Sequence, residues 1–116
     1  MSSNLRNERV RKELMREISD ILRKEIRGLA GVVSITDVEV SHDNSFAKVF
    51  YSVFGSEEQK KKSIDTINAS VSKIRYEVGR RIRLRLTPEL RFIPDDSIER
   101  GSRVTEILNK ISRGEV

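Results

Sequence analysis

The sequence has no cysteine and no tryptophan, and it has one histidine and two prolines among 116 residues. The lack of cysteine excludes disulfides, thiolate nucleophiles, iron–sulfur clusters and cysteine zinc sites, and it permits a reducing compartment. With His42 as the sole histidine, multi-histidine metal centres and most acid–base relays are excluded as well. Long apolar runs are also missing. The longest are strand-sized, such as residues 49–54 interrupted by Ser52, far short of the roughly 20 residues a membrane span needs. The start, Met1-Ser2-Ser3-Asn4-Leu5-Arg6, passes straight into a charged helical pattern with no apolar core or small-residue cleavage site, so a cytoplasmic protein is expected. The length fits a single domain over residues 1–116 with one modest core.

Charge is plentiful: 23 Lys and Arg stand against 18 Asp and Glu, a formal net charge of +5. The excess is local. Residues 73–91 carry Lys73, Arg75, Arg80, Arg81, Arg83, Arg85 and Arg91 against only Glu77 and Glu89, and the rest of the chain balances. Clustered arginines suit phosphate, because the planar guanidinium makes paired hydrogen bonds and keeps its charge on contact. Nucleic acid is therefore the leading partner class. The alternative is a merely solvated face of a basic protein.

Periodicity gives an α+β chain. Val10, Leu14, Ile18, Ile21 and Leu22 recur every three or four residues, the stripe of an amphipathic helix expected over residues 4–27. Ser3 or Asn4 is expected to cap it, and Gly28 to Gly31 to end it. Met15 reads as a filler at the edge of the core. Val32–Val40 and Phe46–Phe54 are rich in Val, Ile, Thr, Phe and Tyr, which predicts two strands folded back by the polar turn Ser41-His42-Asp43-Asn44-Ser45. His42 falls at the tip, facing solvent. The second strand is apolar on both faces, so a central position is expected.

Ser56-Glu57-Glu58-Gln59 matches a capping box. The helical stripe that follows runs Ile64, Ile67, Val71, Ile74, Val78 and Ile82 until Thr87-Pro88. Ser70-Val71-Ser72 places two hydroxyls that compete for backbone hydrogen bonds around a β-branched residue, so two helices joined by a kink are expected there. On the wheel, Lys73, Tyr76, Arg80 and Arg83 lie opposite the stripe; Arg81 falls near it, so either it snorkels to the edge or the helix has begun to unwind there, and Arg75 lies on the flank. Residues 90–93 predict a third strand parallel to the second, since a helical crossover connects them. Val104, Ile107, Leu108 and Ile111 predict a short C-terminal helix.

The order helix, two strands, helix, helix, strand resembles that of a type II KH domain, which grips single-stranded nucleic acid through a Gly-x-x-Gly loop between its paired helices. The one match to that pattern, Gly28-Leu29-Ala30-Gly31, lies elsewhere, between the first helix and first strand, and reads as a helix stop. The residues are similar to the ribosome-binding factor A family, whose KH-like fold replaces the glycine loop by an interhelical kink. The resemblance covers nearly the whole chain. It is carried by Ala47-Lys48-Val49-Phe50-Tyr51-Ser52-Val53, by Ile74-Arg75 followed by Val78-Gly79-Arg80-Arg81-Ile82-Arg83-Leu84-Arg85, by Thr87-Pro88-Glu89-Leu90-Arg91-Phe92, and by Asp95-Asp96-Ser97-Ile98-Glu99. Two departures stand out: Ser70-Val71-Ser72 replaces the family's usual Ala-x-Gly kink, and Arg27-Gly28-Leu29 replaces its usual Asp-Pro-Arg.

The resemblance implies a non-enzymatic, cofactor-free assembly factor that binds the free small (30S) ribosomal subunit or its precursor, contacts 16S-type rRNA and assists late rRNA processing. It also implies a link to cold adaptation; a monomer is expected. On this reading Lys73, Arg75, Arg80, Arg81, Arg83 and Arg85 neutralise phosphates, and Ser70 and Ser72 bring the kink to the RNA backbone. Tyr76 either stacks on a base or is an edge aromatic. Arg6, Arg9 and Arg16 either widen the footprint or, interleaved with Glu8, Glu13 and Glu17, form a solvated face. The rivals are a general single-stranded RNA-binding chaperone, a protein adaptor for an acidic partner, and an enzyme using Asp95, Asp96 and Glu99 around magnesium, although capping and turn roles explain those acids.

Overall fold

A computed structural model describes residues 2–95, with side chains from Asn7 onward. The stripe read from the first segment becomes the buried face of α1 (Ser2–Lys24): Val10, Leu14, Ile18, Ile21 and Leu22 are all buried. Met15 packs at the edge of this core. The helix begins at Ser2, so Ser3 and Asn4 lie inside it rather than capping it. It stops at Lys24, three residues earlier than expected, with one further turn bond from the Glu25 amide to the Ile21 carbonyl.

β1 (Val32–Val40) and β2 (Phe46–Phe54) form the expected antiparallel pair, to the residue. β3 (Glu89–Pro94) lies parallel to β2 on its other side, so the order is β1-β2-β3 and β2 is central. Side-chain alternation then assigns the faces. Val38, Ala47, Val49, Tyr51, Leu90 and Phe92 point into the core, and Lys48, Phe50, Arg91 and Ile93 belong to the opposite face. The pairing of β1 with β2 skips Thr36, a bulge, and the Thr36 hydroxyl donates to Asp95 Oδ2 at 2.9 Å across β2.

α2 (Glu57–Arg81) corrects one expectation. The chain between β2 and β3 contains one helix of 25 residues, uninterrupted at Ser70-Val71-Ser72. The Ser70 hydroxyl donates to the Thr66 carbonyl four residues back at 2.7 Å, so it doubles an existing helical acceptor instead of breaking the ladder. The capping box forms as read, with Ser56 Oγ accepting from the Gln59 amide and Gln59 Oε1 from the Ser56 amide. Ile67, Ile74 and Val78 are buried, as are Ser63 and Glu77, while Ile64 and Val71 are only half-buried.

Ser63 explains the Gly-x-x-Gly segment. Its hydroxyl accepts from the Ala30 amide at 2.8 Å and donates to the Ala30 carbonyl at 2.6 Å, and Thr66 donates to the Gly28 carbonyl. Gly31 sits at a φ of 69°, and a Cβ there would meet the Phe54 carbonyl oxygen at 2.6 Å. The segment is thus a pinned turn between α1 and β1. No described helix is long and apolar enough to cross a membrane. The expected C-terminal helix and most of the Asp95-to-Glu99 motif lie outside the described residues.

Candidate nucleic-acid interface

α2 turns its core stripe toward the sheet, which leaves Lys73, Tyr76 and Arg80 on its exposed face. The helix ends when Ile82 takes extended backbone, with its amide still bonded to the Val78 carbonyl. The loop that follows divides its side chains between core and solvent. Leu84 packs on the core and Pro88 is fully buried, whereas Arg83, Arg85 and Leu86 are exposed. The loop is pressed close to the helix: a Cβ on Gly79 would come within 3.0 Å of Thr87 Oγ1.

The structure divides the nine residues singled out in the sequence. Four are engaged within the fold. Ser70 bonds the Thr66 carbonyl, and Lys73 Nζ donates to the Glu25 carbonyl at 3.0 Å, tying α2 to the end of α1. Arg75 holds the loop, with Nε on the Pro88 carbonyl at 3.1 Å and Nη2 on the Thr87 carbonyl at 2.9 Å. Arg81 is the most heavily engaged. It reaches Asp20 at 2.7 Å, Glu17 at 3.4 Å, Glu25 at 3.7 Å and Glu77 at 3.9 Å, with only 22% of its side chain exposed. The Arg81 guanidinium, followed by that of Arg23, holds the Asp20 carboxyl down at about 2.

The other five face outward. Ser72 is exposed. Tyr76 is 66% exposed, and the Arg80 guanidinium lies 6.0 Å from its ring centre while also pairing with Glu77 at 3.1 Å; this cation–π arrangement presents a flat, charged surface. Arg83 and Arg85 make no ion pair or hydrogen bond among the described residues. The result is an exposed edge in which Tyr76, Arg80, Arg83 and Arg85 offer guanidinium and ring faces on a scaffold fixed by Arg75 and Arg81.

Sequence reading missed the acids on α1 and the inward Glu77, which decide that Arg81 is consumed internally. Their signal was available: Glu17 and Asp20 stand one helical turn apart on the flank of the α1 stripe. Among the described residues no group of three or more His, Cys, Asp or Glu is placed to hold a metal ion. Asp95, part of the magnesium alternative, bonds Thr36, while Asp96 and Glu99 lie outside the described residues.

Comparison with known proteins places this scaffold. The family model described as ribosome-binding factor A matches residues 6–108. A ribosome-binding factor A from Acetivibrio thermocellus is 46% identical over 109 residues, covering 92% of this chain and 89% of its own length. The crystal structure of ribosome-binding factor A from Thermus thermophilus shares the fold at a TM-score of 0.65 and 20% identity, over 76% of this chain and 93% of that one. A Thermus thermophilus ribosome-binding factor A homology model, fitted into a cryo-EM map of a 30S complex, is similar at a TM-score of 0.60 and 22% identity, over 72% and 88%. With the match running from α1 through the Arg-rich loop and β3, the chain belongs to the ribosome-binding factor A family.

Proposed function

We propose that this protein is a non-enzymatic, cytoplasmic assembly factor that docks as a monomer on the free 30S subunit or its precursor and assists late processing of 16S-type rRNA. The observation that carries the reading is the edge built by Arg80, Arg83 and Arg85 beside exposed Tyr76, in which Arg83 and Arg85 have no carboxylate partner among the described residues. Cations held outward on a pinned loop meet RNA phosphates without first breaking internal pairs, and each contact releases condensed counterions. The relative fitted into a 30S map supports the choice of target. Within this reading Arg75, Arg81 and Lys73 position the edge, Ser72 lies at its upper end, and Ser70 supports the helix.

The test is sedimentation of tagged protein from lysate through a sucrose gradient, with a variant carrying Arg83→Glu and Arg85→Glu. Wild type is expected to travel with free small subunits and to avoid full ribosomes, and the variant to stay at the top while its melting temperature is retained. Displacement from all RNA equally by unrelated competitor would replace this reading with a general RNA chaperone. Complexes that survive nuclease and contain no RNA would replace it with an adaptor for an acidic protein.

A further inference from the structure

β3 stops short of its neighbour. It pairs with β2 from Phe46 to Tyr51, and the Asp95 amide bonds the Tyr51 carbonyl once more, whereas β1 continues beside β2 as far as Phe54. The β3 side of residues 52–54 is thus a step with no described strand beside it. α2 begins directly after the step, and its first two turns wall a groove of about 350 Å³ whose lining includes Val53, Phe54, Glu57, Ile64, Pro94 and Asp95. Val53 and Ile64 are half-buried against the core. Phe54 is 65% exposed, and its cross-strand neighbour Val32 is 61% exposed. Adjacent apolar side chains left in water at the mouth of an apolar groove mark a surface built to be covered.

The chain itself arrives there. Asp95 is held in the groove wall by its amide on the Tyr51 carbonyl and by the Thr36 hydroxyl on Oδ2, and residues 96–116 continue from it. In that sequence Val104, Ile107, Leu108 and Ile111 recur at helical spacing, and on the wheel Arg103 and Lys110 fall together on one flank of the stripe. So short a helix is marginal in water without a surface for its apolar side. The dimensions agree: residues 104–111 as a helix are about 12 Å long, and a step of three strand residues measures about 10 Å. Residues 96–103 reach at most about 27 Å, ample for a chain that starts at the groove to double back onto it. The rim agrees in charge, since the Glu57 side chain is 93% exposed, with Lys60 as an ion-pair partner at 3.7 Å, and Glu58 beside it is exposed.

We propose that this groove is the seat of the chain's own residues 104–111, which pack Val104, Ile107, Leu108 and Ile111 as a helix on Val53, Phe54 and Ile64 and turn Arg103 and Lys110 toward Glu57 and Glu58. The docked segment closes the step that β3 leaves open. It covers the first turns of α2, whereas the arginine edge follows the last turn of the same 25-residue helix, about 37 Å away along its axis. Seat and RNA-binding edge are therefore separate, and neither depends on the other.

A chain without cysteine makes the test direct. Ser112→Cys puts a single nitroxide label beside the stripe in the full, isotopically labelled chain, and amide spectra read which residues the label approaches. Loss of signal is expected over residues 53–64 and is reversed when the nitroxide is reduced, while the hairpin tip at 41–45 and the loop at 82–88, at the far end of the strands, keep their signals. Leu108→Asp and Phe54→Thr attack the contact from its two sides, the second at an exposed position where threonine suits a strand, and each is expected to restore the lost signals with the rest of the spectrum unchanged. No loss over residues 53–64, a loss centred elsewhere, or a loss that survives both substitutions each overturns the proposal. Two further outcomes also overturn it. Loss that appears when the spin-labelled chain is mixed with isotope-labelled chain lacking cysteine gives the groove to a second copy, and a groove whose amides shift only when single-stranded RNA is added gives it to RNA.

Discussion

Two loops hang from α2, and they are built in opposite ways. The segment 28–31 has the glycines expected of a phosphate-gripping loop, yet Ser63 occupies both the amide and the carbonyl of Ala30, and Gly31 is pressed against the Phe54 carbonyl. Its hydrogen-bonding capacity is used inside the protein. The loop at 82–88 has no glycine and is held by its carbonyls, through Arg75 on Thr87 and Pro88, which leaves Arg83 and Arg85 pointing away. Whether a loop can bind depends less on its motif than on which of its groups the fold leaves unspent.

The sharpest way to break that comparison is at Ser63, which is fully buried. Ser63→Ala removes both bonds to Ala30 and leaves its amide open, at an expected cost of about 1–3 kcal/mol, with 30S sedimentation at low temperature unchanged. Denaturant melts alongside gradient profiles give both readouts. Lost sedimentation with intact stability would mean that residues 28–31 belong to the interface after all.

How far the sequence carried this picture follows from the range of the interactions involved. Strand bounds, the capping box and the α1 stripe depend on residues within one turn or one pleat of each other, and they appeared where periodicity put them. The inferred break at Ser70-Val71-Ser72 failed because a serine hydroxyl can serve its own helix, through the Thr66 carbonyl, as readily as disrupt it. The placing of Arg81 near the apolar stripe was right, but its four carboxylates come from positions as far as 64 residues away. Arg75 and Lys73 escaped for the same reason: their partners are backbone carbonyls brought close only by the folded chain.

A second, smaller contrast lies among the arginines themselves. If Arg83 and Arg85 each meet one phosphate, Arg83→Ala or Arg85→Ala is expected to flatten the slope of log affinity against log salt by about 0.7, the single-strand value per contact. Arg81→Gln, whose charge is directed at α1, is expected to leave that slope unchanged while lowering the melting temperature. Fluorescence anisotropy with a labelled single-stranded RNA across a salt series measures the first, and thermal melts the second. A slope that falls for Arg81→Gln as much as for Arg83→Ala would erase the division between anchoring and contacting cations.

The finest probe is the protonation of Asp20. Its carboxyl sits at about 2 rather than 3.8, held there by Arg81 first and Arg23 next. A carboxylate lowered in the folded state contributes stability that is fully present above its unfolded value and is lost as pH falls through the folded one. Part of the acid-side loss of stability between pH 3.8 and about 2 therefore belongs to this group. Arg81→Gln removes the largest cause, so the Asp20 midpoint is expected to rise toward 3.8, stopping short because Arg23 and Lys24 remain within reach, and the acid limb to become shallower. Arg83→Gln is expected to move neither. Carboxyl-carbon NMR titration reads the midpoint directly. A midpoint unmoved by Arg81→Gln would show that Arg23 and Lys24 alone hold Asp20 ionised, which would leave Arg81 with charge to offer an RNA phosphate.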